Sequence, residues 1–402
     1  MKVGFMRNFT IPPYMATLTA MLCKYQEIDL IYMHPRDVNI ETNMVKGKIF
    51  INNKWKNIET ELPPFIDISA YCFKKKNRDI MKHLRNNTLL SYDKVNTLSK
   101  ERLQRELIKD EEFAHLVIPS IKAKEFSDLE DFINKYSTIV LKPIGGQRGT
   151  GVYILSKDKD NSYTLGYRKE ERHYSQTELD LFFEESIKNK NYMLQKYISS
   201  RTVQGDPFDC RVHVQKNGNG KWVVARNFIR IGIGQKVISN VNQGGGISEP
   251  EPFLKANFGE KWEIINKKLN ELATTLPYKI EQIRKIELIS LGFDVAIDKD
   301  GELYLFESNG APTTKPLKAE SAMLRAEYYS YVLKNKVDKN TLPIKKDNRL
   351  SKLEKENKEL QEQLKQLTKE KAITQKKYNN IENSNSWKVT KPIRALGRII
   401  KK

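Results

Sequence analysis

Two neighbouring segments near the C-terminal third of the chain carry three oxygen-bearing side chains that could hold a metal ion. Alternating apolar positions flank Asp298-Lys-Asp-Gly301, which is typical of the tight turn of a β-hairpin. Asp294 lies on the first strand, while Glu307 and Asn309 close the second and share one of its faces. Two carboxylates and an amide oxygen are ligands suited to Mg²⁺, which keeps waters and takes further ligands from phosphates. An ordinary surface hairpin with acidic decoration is the alternative.

A second segment has the composition of a phosphate-binding loop. The apolar strand 138–143 contains Lys142 near its end and leads into a glycine-rich loop and a further apolar strand. The glycines are Gly145, Gly146, Gly149 and Gly151. Glycines let the backbone wrap an anion with successive N–H groups, and the lysine adds a point charge. The spacing differs from the Walker A and dinucleotide-binding patterns. A flexible hairpin over phosphates is predicted, and a purely structural hairpin is the alternative.

These segments, in their order along the chain, resemble those of the ATP-grasp superfamily and, within it, the spore-coat-associated YheC/YheD-type proteins. The similarity runs from about residue 91 to residue 316, with a looser match before it. The matching elements are Asp93-Lys94, Leu141-Lys142-Pro143 with the glycine loop, Leu194-Gln-Lys-Tyr-Ile198, Phe208-Asp-Cys-Arg211, Ile229-Arg230, Ser239-Asn240 with Gly244-Gly-Gly246, and Asp294 with Glu307-Ser-Asn309. One element alone would be weak evidence, whereas the ordered set is specific.

The resemblance implies a role for each matching residue. The implied nucleotide-binding residues are Lys94, Lys142, Gly145, Gly146, Gly149, Gly151, Gln195, Lys196, Tyr197, Ile198 and Asp209. Among them, the two lysines contact the phosphates of ATP, residues 195–198 form the hinge that reads adenine, and Asp209 lies near the ribose. The residues implied near the transferring phosphate are Arg211, Arg230 and Asn240. The implied ligands of Mg²⁺, or alternatively of Mn²⁺, are Asp294, Glu307 and Asn309.

Composition sets the outer limits of the interpretation. A chain of 402 residues predicts two or three structural units, and its 39% hydrophobic content is enough for a core. Cys23, Cys72 and Cys210 are widely spaced and odd in number, which argues against a disulfide framework or zinc site and for a reducing compartment. Because no apolar run approaches the roughly 18 residues of a membrane span and no signal peptide is recognisable, we expect a cytoplasmic protein.

The net charge of +20 leaves several anionic partners open. Nucleic acid, acidic glycans and anionic lipid would all be attracted by abundant lysine and arginine. No RNP, KH or zinc-knuckle pattern accompanies the charge, so nucleic acid is the least favoured of these partners.

The expected fold is mixed α/β (α+β). An ATP-grasp fold follows a small α/β domain and precedes a C-terminal helical coiled coil with a basic amphipathic tail. In the small domain we predict strands at 2–6, 28–33 and 65–73, a helix at 12–25, and a hairpin at 45–59. The expected domain ranges are 1–88 (N-terminal α/β), 89–340 (ATP-grasp), 347–382 (coiled coil) and 383–402 (tail).

Two interleaved series of residues, each with a period of seven, predict the coiled coil. The first series is Leu350, Asn357, Leu364, Lys371 and Tyr378, and the second is Leu353, Leu360, Leu367, Thr374 and Ile381. These are the a and d positions of a heptad pattern, so we expect a homodimer in which Asn357 fixes the register. A single helix packed back on the body of the protein is the alternative.

The last twenty residues combine basic side chains with an apolar face that includes Trp387. This pattern is typical of an interfacial helix on an anionic membrane, so peripheral attachment to the inner face of the cell membrane is expected. A disordered basic end is the alternative. Residues 386–394 also resemble a short tail found on bacterial surface-polysaccharide glycosyltransferases.

The function expected from these features is that of an ATP-dependent carboxylate–amine ligase. ATP phosphorylates a carboxylate, an amine or amino acid displaces the phosphate, and an amide forms. The tail suggests that the carboxylate belongs to a capsule or teichuronic-type surface glycan, for instance to a uronic acid. The alternative is a non-catalytic, structural ATP-grasp protein of spore-coat or envelope assembly. A degenerate scaffold is expected to have lost Lys142, Glu307 or Asn309, and the chain retains all three.

Overall fold

The computed structural model describes residues 1–94, 97–144, 150–167, 170–233, 245–337 and 348–389. The chain divides into two compact units, Met1–Asp338 and Lys339–Lys402. The first unit contains three β-sheets with helices packed on them, which confirms the predicted mixed α/β class. The predicted domain boundaries inside this unit stay predictions.

The first sheet belongs to the N-terminal segment. Its strands are β1 (Lys2–Met6), β2 (Asp29–Met33), β3 (Val38–Asn39), β4 (Met44–Ile51), β5 (Lys54–Glu61), β6 (Phe65–Ile68) and β7 (Leu89–Leu90). Strand β1 lies between β2 and β6 and runs parallel to both. Helix α1 (Tyr14–Tyr25) connects β1 to β2, and α2 (Arg78–Asn87) precedes β7. The chain therefore reverses its direction of travel across the sheet between β1 and β6.

Two local predictions for this sheet can be compared with the structure. The β4–β5 hairpin turns at Asn52 and Asn53, whose φ angles of 51° and 59° are the left-handed values that asparagine tolerates. The strand predicted over residues 65–73, in contrast, is too long, because β6 ends at Ile68. The Ser69 hydroxyl accepts a hydrogen bond from the Tyr71 amide and begins a 3₁₀ turn there.

The second sheet is antiparallel. Its strands are β8 (Ser120–Lys122), β9 (Thr138–Pro143), β10 (Tyr153–Lys157), β11 (Tyr163–Tyr167), β12 (Glu170–Tyr174) and β13 (Tyr192–Lys196), in the order β12-β11-β10-β9-β13-β8. Helix α3 (Lys100–Ile108) precedes this sheet, and α4 (Phe126–Tyr136) and α5 (Gln176–Ser186) pack on it. Their buried side chains form one core with those of β9 and β13, which fixes β9 beside β13.

The third sheet is also antiparallel and forms the centre of the site. Its strands are β14 (Phe208–Lys216), β15 (Trp222–Ile231), β16 (Gly246–Ser248), β17 (Ser290–Ile297) and β18 (Leu303–Asn309), in the order β16-β15-β14-β17-β18. Helices α6 (Pro250–Phe258), α7 (Trp262–Arg284) and α8 (Lys318–Asn335) pack around it. Alternate residues of β14, from Phe208 to Val214, enter the core with α7. The other face of β14 is polar, and its Gln215 exchanges hydrogen bonds with Ser321 of α8.

The second unit contains helix α9 (Asn348–Asn383) and the short helix α10 (Asn385–Val389). The heptad positions Leu367 and Ile381 have exposed side chains. The predicted tail beyond residue 389 lies outside the described residues. Within the described part of the chain, no helix combines the length and apolar composition needed to cross a membrane.

Candidate active site

The predicted metal-binding hairpin is formed by β17 and β18. Asp294 lies directly opposite Glu307, and Gly292 lies opposite Asn309. The register shifts by one residue at this point, because Val295 pairs with Leu305 and Phe306 is left as a β-bulge. The bulge places the three predicted ligands on one face of the hairpin.

Asp294 also belongs to a buried group of four charged side chains, which we call the four-charge cluster: Asp209, Arg211, Arg230 and Asp294. Nε and Nη2 of Arg211 both donate to the Asp294 carboxylate, the latter at 3.0 Å. Arg230 Nε donates to Asp209 Oδ1 at 2.6 Å, and Arg230 Nη2 lies 3.1 Å from Asp294 Oδ2. Two cations and two anions therefore neutralise one another inside the third sheet.

This pairing stabilises the charged form of Arg230. Burial by itself lowers the pKa of its guanidinium, but the Asp209 and Asp294 carboxylates outweigh burial and raise the pKa above its usual value. Arg230 is thus a permanent cation, suited to facing developing negative charge on a phosphate. Asp209, predicted near the ribose, has both of its carboxylate oxygens occupied by Arg230.

Glu307 points into a different environment. Its Oε1 lies 3.2 Å from Lys100 Nζ, and both side chains are substantially exposed. They line a cavity of about 220 Å³, the first cavity, together with Lys142, Met193, Arg284 and Phe306. The first cavity therefore brings a predicted metal ligand and a predicted phosphate-binding lysine to one space.

Lys142 enters the first cavity from β9. Its Nζ donates a 2.7 Å hydrogen bond to Gln195 Oε1 on the neighbouring strand β13. Burial, reinforced by the positive charge of Lys100, lowers the pKa of Lys142 to about 8, although Glu307 opposes the shift. A lysine with so little compensating negative charge is suited to receive an anion.

The predicted adenine-reading segment continues from β13. Gln195 is 3% exposed, and among the described residues its Nε2 has no hydrogen-bond partner. Lys196 and Tyr197 hold the segment in place, because their amides donate to the carbonyls of Pro119 and Thr138 at 2.9 and 3.2 Å. Ile198 packs with Ile118 and Ala296, which connects this segment to the third sheet.

One glycine of the predicted loop is described, and it has a structural reason to be glycine. Gly151 has φ = +71°, and a Cβ atom there would lie 2.7 Å from the Tyr192 hydroxyl. Gly145, Gly146 and Gly149 lie outside the described residues, as does Asn240. Their predicted roles stay predictions.

The structure separates the two predicted phosphate-binding lysines. Lys94 is exposed and is not among the side chains that line the first cavity, whereas Lys142 is. Sequence reasoning missed Lys100 and Arg284, both of which line this cavity. Lys100 begins α3 just after Ser99, whose hydroxyl caps the helix, so a serine N-cap followed directly by a lysine was the available signal. Arg284 ends the long helix α7, and no sequence signal connected it with a site.

The described residues contain no group of three or more His, Cys, Asp or Glu side chains with the geometry of a metal site. The chemistry of the predicted donor set nevertheless fits Mg²⁺, since Asp294, Glu307 and Asn309 offer oxygen atoms from one face of the hairpin. In the structure the two carboxylates are paired with arginines and with Lys100, respectively.

Comparison with known proteins identifies the family. The family model for a YheC/D-like ATP-grasp domain matches residues 92–335. The chain belongs to the YheC/D-like ATP-grasp family. This match confirms the predicted resemblance to that family.

Two relatives come from Bacillus subtilis (strain 168). The endospore coat-associated protein YheC is 22% identical over 322 residues, which cover 76% of this chain and 87% of YheC. The endospore coat-associated protein YheD is 23% identical over 285 residues, which cover 68% of this chain and 62% of YheD.

Solved ATP-grasp structures align over most of the chain at low similarity. The ligase PsnB, complexed with a minimal precursor, Mg and ADP, has a TM-score of 0.48 and 10% identity, covering 82% of this chain and 98% of PsnB. The C-terminal domain of K. lactis Pby1 has a TM-score of 0.47 and 14% identity, covering 83% of this chain and 92% of that domain.

Proposed function

We propose that this YheC/D-like ATP-grasp protein is an ATP-dependent carboxylate–amine ligase that forms an amide through an acyl phosphate. The observation that carries the proposal is the first cavity, which brings Lys142 and Glu307 together on neighbouring sheets. A charge-neutralising lysine opposite an acidic metal ligand is the arrangement that phosphoryl transfer from ATP requires.

In the first step, an oxygen of the substrate carboxylate attacks the γ-phosphorus of ATP, the bond to the β,γ-bridging oxygen breaks, and ADP leaves. In the second step, the amine nitrogen attacks the acyl carbon, phosphate leaves with the electron pair of the C–O bond, and the nitrogen loses a proton. Lys142 holds the phosphates, and Arg211 and Arg230 offset the charge on the transferring group. Asp294, Glu307 and Asn309 would hold Mg²⁺, which supplies charge neutralisation on the phosphates when bound.

Oxygen labelling tests the acyl phosphate directly. With ATP, Mg²⁺, an amine and a carboxylate labelled with ¹⁸O, the released phosphate should carry one ¹⁸O atom per turnover, and ADP formation should require the carboxylate. The test panel contains amino acids, dipeptides and uronic acids. Lys142→Met should abolish ADP formation, while Lys122→Met, on the edge strand β8, should not. ADP release that ignores every carboxylate would contradict the ligase reaction. An absence of any thermal shift with millimolar ATP would favour a structural role in coat or envelope assembly.

For the acceptor we propose a carboxylate of a bacterial surface glycan. Support comes from the net charge of +20, which attracts acidic polymers, and from the sequence of residues 386–394. Uronic-acid oligosaccharides should then stimulate ADP formation more than free amino acids serving as the carboxylate do. Equal or lower stimulation would remove the glycan from the proposal and leave the ligase reaction intact.

We further propose that α9 pairs with α9 of a second copy as a coiled coil. The exposed Leu367 and Ile381 occupy d positions of the heptads, where a partner helix would cover them. Leu367→Lys should convert a dimer to a monomer in sedimentation equilibrium, and the neighbouring change Gln366→Lys, at a c position, should not. If wild-type protein is monomeric at micromolar concentration, the pairing is wrong.

A further inference from the structure

A second cavity of about 280 Å³ lies beside the first one. It opens where β1 and β6 end, since Arg7 follows β1 and Ser69 follows β6, and both residues line it. These two parallel strands are neighbours at the point where the chain reverses its travel across the first sheet. Ligands of open parallel sheets bind at the carboxyl ends of strands at such a switch point.

The floor of the second cavity is charged. Arg7 Nη2 lies 3.1 Å from Asp67 Oδ1, and Arg7 Nη1 donates to the backbone carbonyls of Met6 and Asp67 at 2.8 Å. Arg325 Nε lies 3.2 Å from Asp67 Oδ2, which also accepts a hydrogen bond from the Tyr329 hydroxyl. Two arginines from distant parts of the chain therefore share a single carboxylate.

This sharing leaves the floor with an excess of positive charge. Burial favours a raised pKa for Asp67, but Arg7, Arg325 and the Tyr329 hydroxyl together hold its pKa below the usual range, so it remains an anion. No other acidic side chain of the described residues lines the second cavity. Arg325 Nε faces Asp67 Oδ2 as an ion pair without the alignment of a hydrogen bond, and within the described part of the chain it has no hydrogen-bond acceptor. One carboxylate thus balances only one of the two guanidinium charges, and an anion in the cavity would balance the other.

The rim of the second cavity is aromatic and apolar. Phe9 and Tyr71 both line it and are 50% and 73% exposed. The backbone carbonyl of Phe9 accepts a 2.6 Å hydrogen bond from the Tyr32 hydroxyl, which holds the segment in place. Met15 and Ile289 extend the apolar wall inward. The surface therefore suits a ligand with a weakly polar body and a charged end.

The two cavities adjoin one another. Ala70, Tyr92, Gly310 and Ala311 line both. The residue run 310–312 directly follows β18, which carries Glu307 and Asn309 into the candidate active site. A molecule in the second cavity could therefore extend a reactive group toward the first, while its charged end stays on the arginines.

We infer that the second cavity binds a substrate through a carboxylate that does not react, received by Arg325 and Arg7, with the substrate body against Phe9 and Tyr71. The inference rests on the proposed ligase function. The carboxylate that takes the phosphoryl group must lie beside the phosphates near Lys142, so the one on the second cavity's floor is a separate group. An amino acid supplying the amine carries such a carboxylate, and so does a uronic-acid chain.

Matched pairs of ligands separate the contribution of the carboxylate to binding from the contribution of the rest of the molecule. N-acetyl-leucine and N-acetyl-leucinamide differ only in the carboxylate, and so, in a second arm, do glucuronate and the neutral methyl glucuronate ester. In ligand-observed NMR with full-length protein, ADP and Mg²⁺, at least one acid should bind about tenfold or more tightly than its neutral partner. The arm that shows the preference identifies an amino-acid or a sugar-acid source. Equal binding of acid and neutral partner in both arms would overturn the inference.

Variants locate the binding. Arg325→Met should erase the preference for the acid, because Asp67 keeps Arg7 and Tyr329 as partners while the second of the two positive charges is lost. Tyr71→Ala, at an exposed position that a folded protein tolerates, should weaken the preferred acid about fivefold by removing the rim contact. Tyr25→Ala, at an exposed tyrosine of α1 that does not line the cavity, is the matched control and should change nothing. An effect of Tyr71→Ala no larger than that of Tyr25→Ala contradicts the inference.

Nucleotide binding distinguishes this inference from the function on which it rests. ADP should produce the same thermal shift in wild-type, Tyr71→Ala and Tyr25→Ala proteins, since Tyr71 does not line the first cavity. Carboxylate preference without any ADP shift in the wild type would mean that the ligase proposal fails and the second cavity stands. An ADP shift without carboxylate preference would mean the reverse.

Discussion

The four-charge cluster and the first cavity place similar side chains in opposite situations. In the cluster, Arg230 and its partners are buried and neutralise one another. In the first cavity, Lys142 has a neutral amide as its hydrogen-bond partner, and Lys100 and Glu307 form a partly exposed pair. The charges of the cluster are thus balanced without a ligand, whereas the lining of the first cavity has an excess of positive charge.

This difference indicates where the removal of one charge should act mainly on stability and where it should act mainly on ligand binding. A buried charge whose partner is removed is left uncompensated in a poorly polarisable environment, so the folded state suffers. A charge at a solvent-connected cavity can be hydrated when its partner is lost, so the fold survives and function suffers. Mutations on the two sides of this comparison should therefore separate in their effects.

The largest expected effect is on the cluster. Asp209→Leu should lower the free energy of unfolding by about 3–5 kcal/mol, because Arg230 keeps only its 3.1 Å contact with Asp294. Adding Arg230→Met should restore a large part of the loss, since the stranded cation is then gone. Urea unfolding of the two single variants and the double variant measures the coupling.

The control for this prediction is an exposed pair. Arg172 and Glu170 lie 3.4 Å apart with both side chains 71% exposed, so Glu170→Leu should cost less than about 1 kcal/mol. If the effects of Asp209→Leu and Arg230→Met are simply additive, these two side chains do not depend on one another in the way the geometry indicates.

Replacement of Glu307 is expected to have a small effect on stability and a large effect on activity. Glu307→Gln keeps the shape of the side chain and removes one anionic ligand, so unfolding should change by less than about 1 kcal/mol. Turnover should fall by roughly 10²–10³-fold or more, since the Mg²⁺ that offsets the charge on the transferring phosphate loses a ligand. Glu302→Gln breaks the exposed pair with Lys268 at the turn of the same hairpin and should leave turnover unchanged. An active Glu307→Gln enzyme with normal Mg²⁺ dependence would remove the hairpin from the site.

Sequence patterns were sufficient for the elements but not for the pairing between them. The β17–β18 hairpin was predictable because an Asp-Gly turn separates two alternating segments. Alternation alone, however, would set Asp294 opposite Phe306 and turn Glu307 to the other face. The bulge at Phe306 brings the two carboxylates to one face, and no residue pattern in the segment predicts this bulge.

The contacts that the charged residues make with one another were harder to predict from the sequence. Arg211 and Asp294 are 83 positions apart, and they become neighbours only because β14 pairs with β17. The same holds for the floor of the second cavity, where residues 7, 67 and 325 meet. Family resemblance assigned Arg211 to the phosphate and Asp294 to the metal as separate roles. That their side chains bond directly to one another is a consequence of sheet topology, which local periodicity does not encode.

The smallest expected effect is a pH dependence that arises from the protonation of Lys142. Arg230 should cause no such pH dependence, so this prediction sharpens the comparison between the cavity and the cluster. In the free protein, burial and the Lys100 charge set the pKa of Lys142 at about 8, below the 10.5 of an exposed lysine. Between these values the unfolded chain binds more protons than the folded one, so this residue alone makes stability rise with pH there.

Nucleotide phosphates favour the charged lysine and should raise its pKa, so binding above pH 8 takes up a proton. ATP affinity should therefore be flat below about pH 8 and fall by up to about tenfold per pH unit above it. Calorimetric titrations at pH 7, 8 and 9, in buffers of different ionisation enthalpy, measure both the affinity and the proton uptake. Lys142→Met should bind ATP more weakly with no such slope, and Lys122→Met, on the edge strand β8, should keep it. A wild-type affinity that stays constant through pH 9 would show that Lys142 either does not contact the phosphates or is still charged at pH 9 in the free protein. The distinction between the self-neutralised cluster and the cavity would then rest on Glu307 alone.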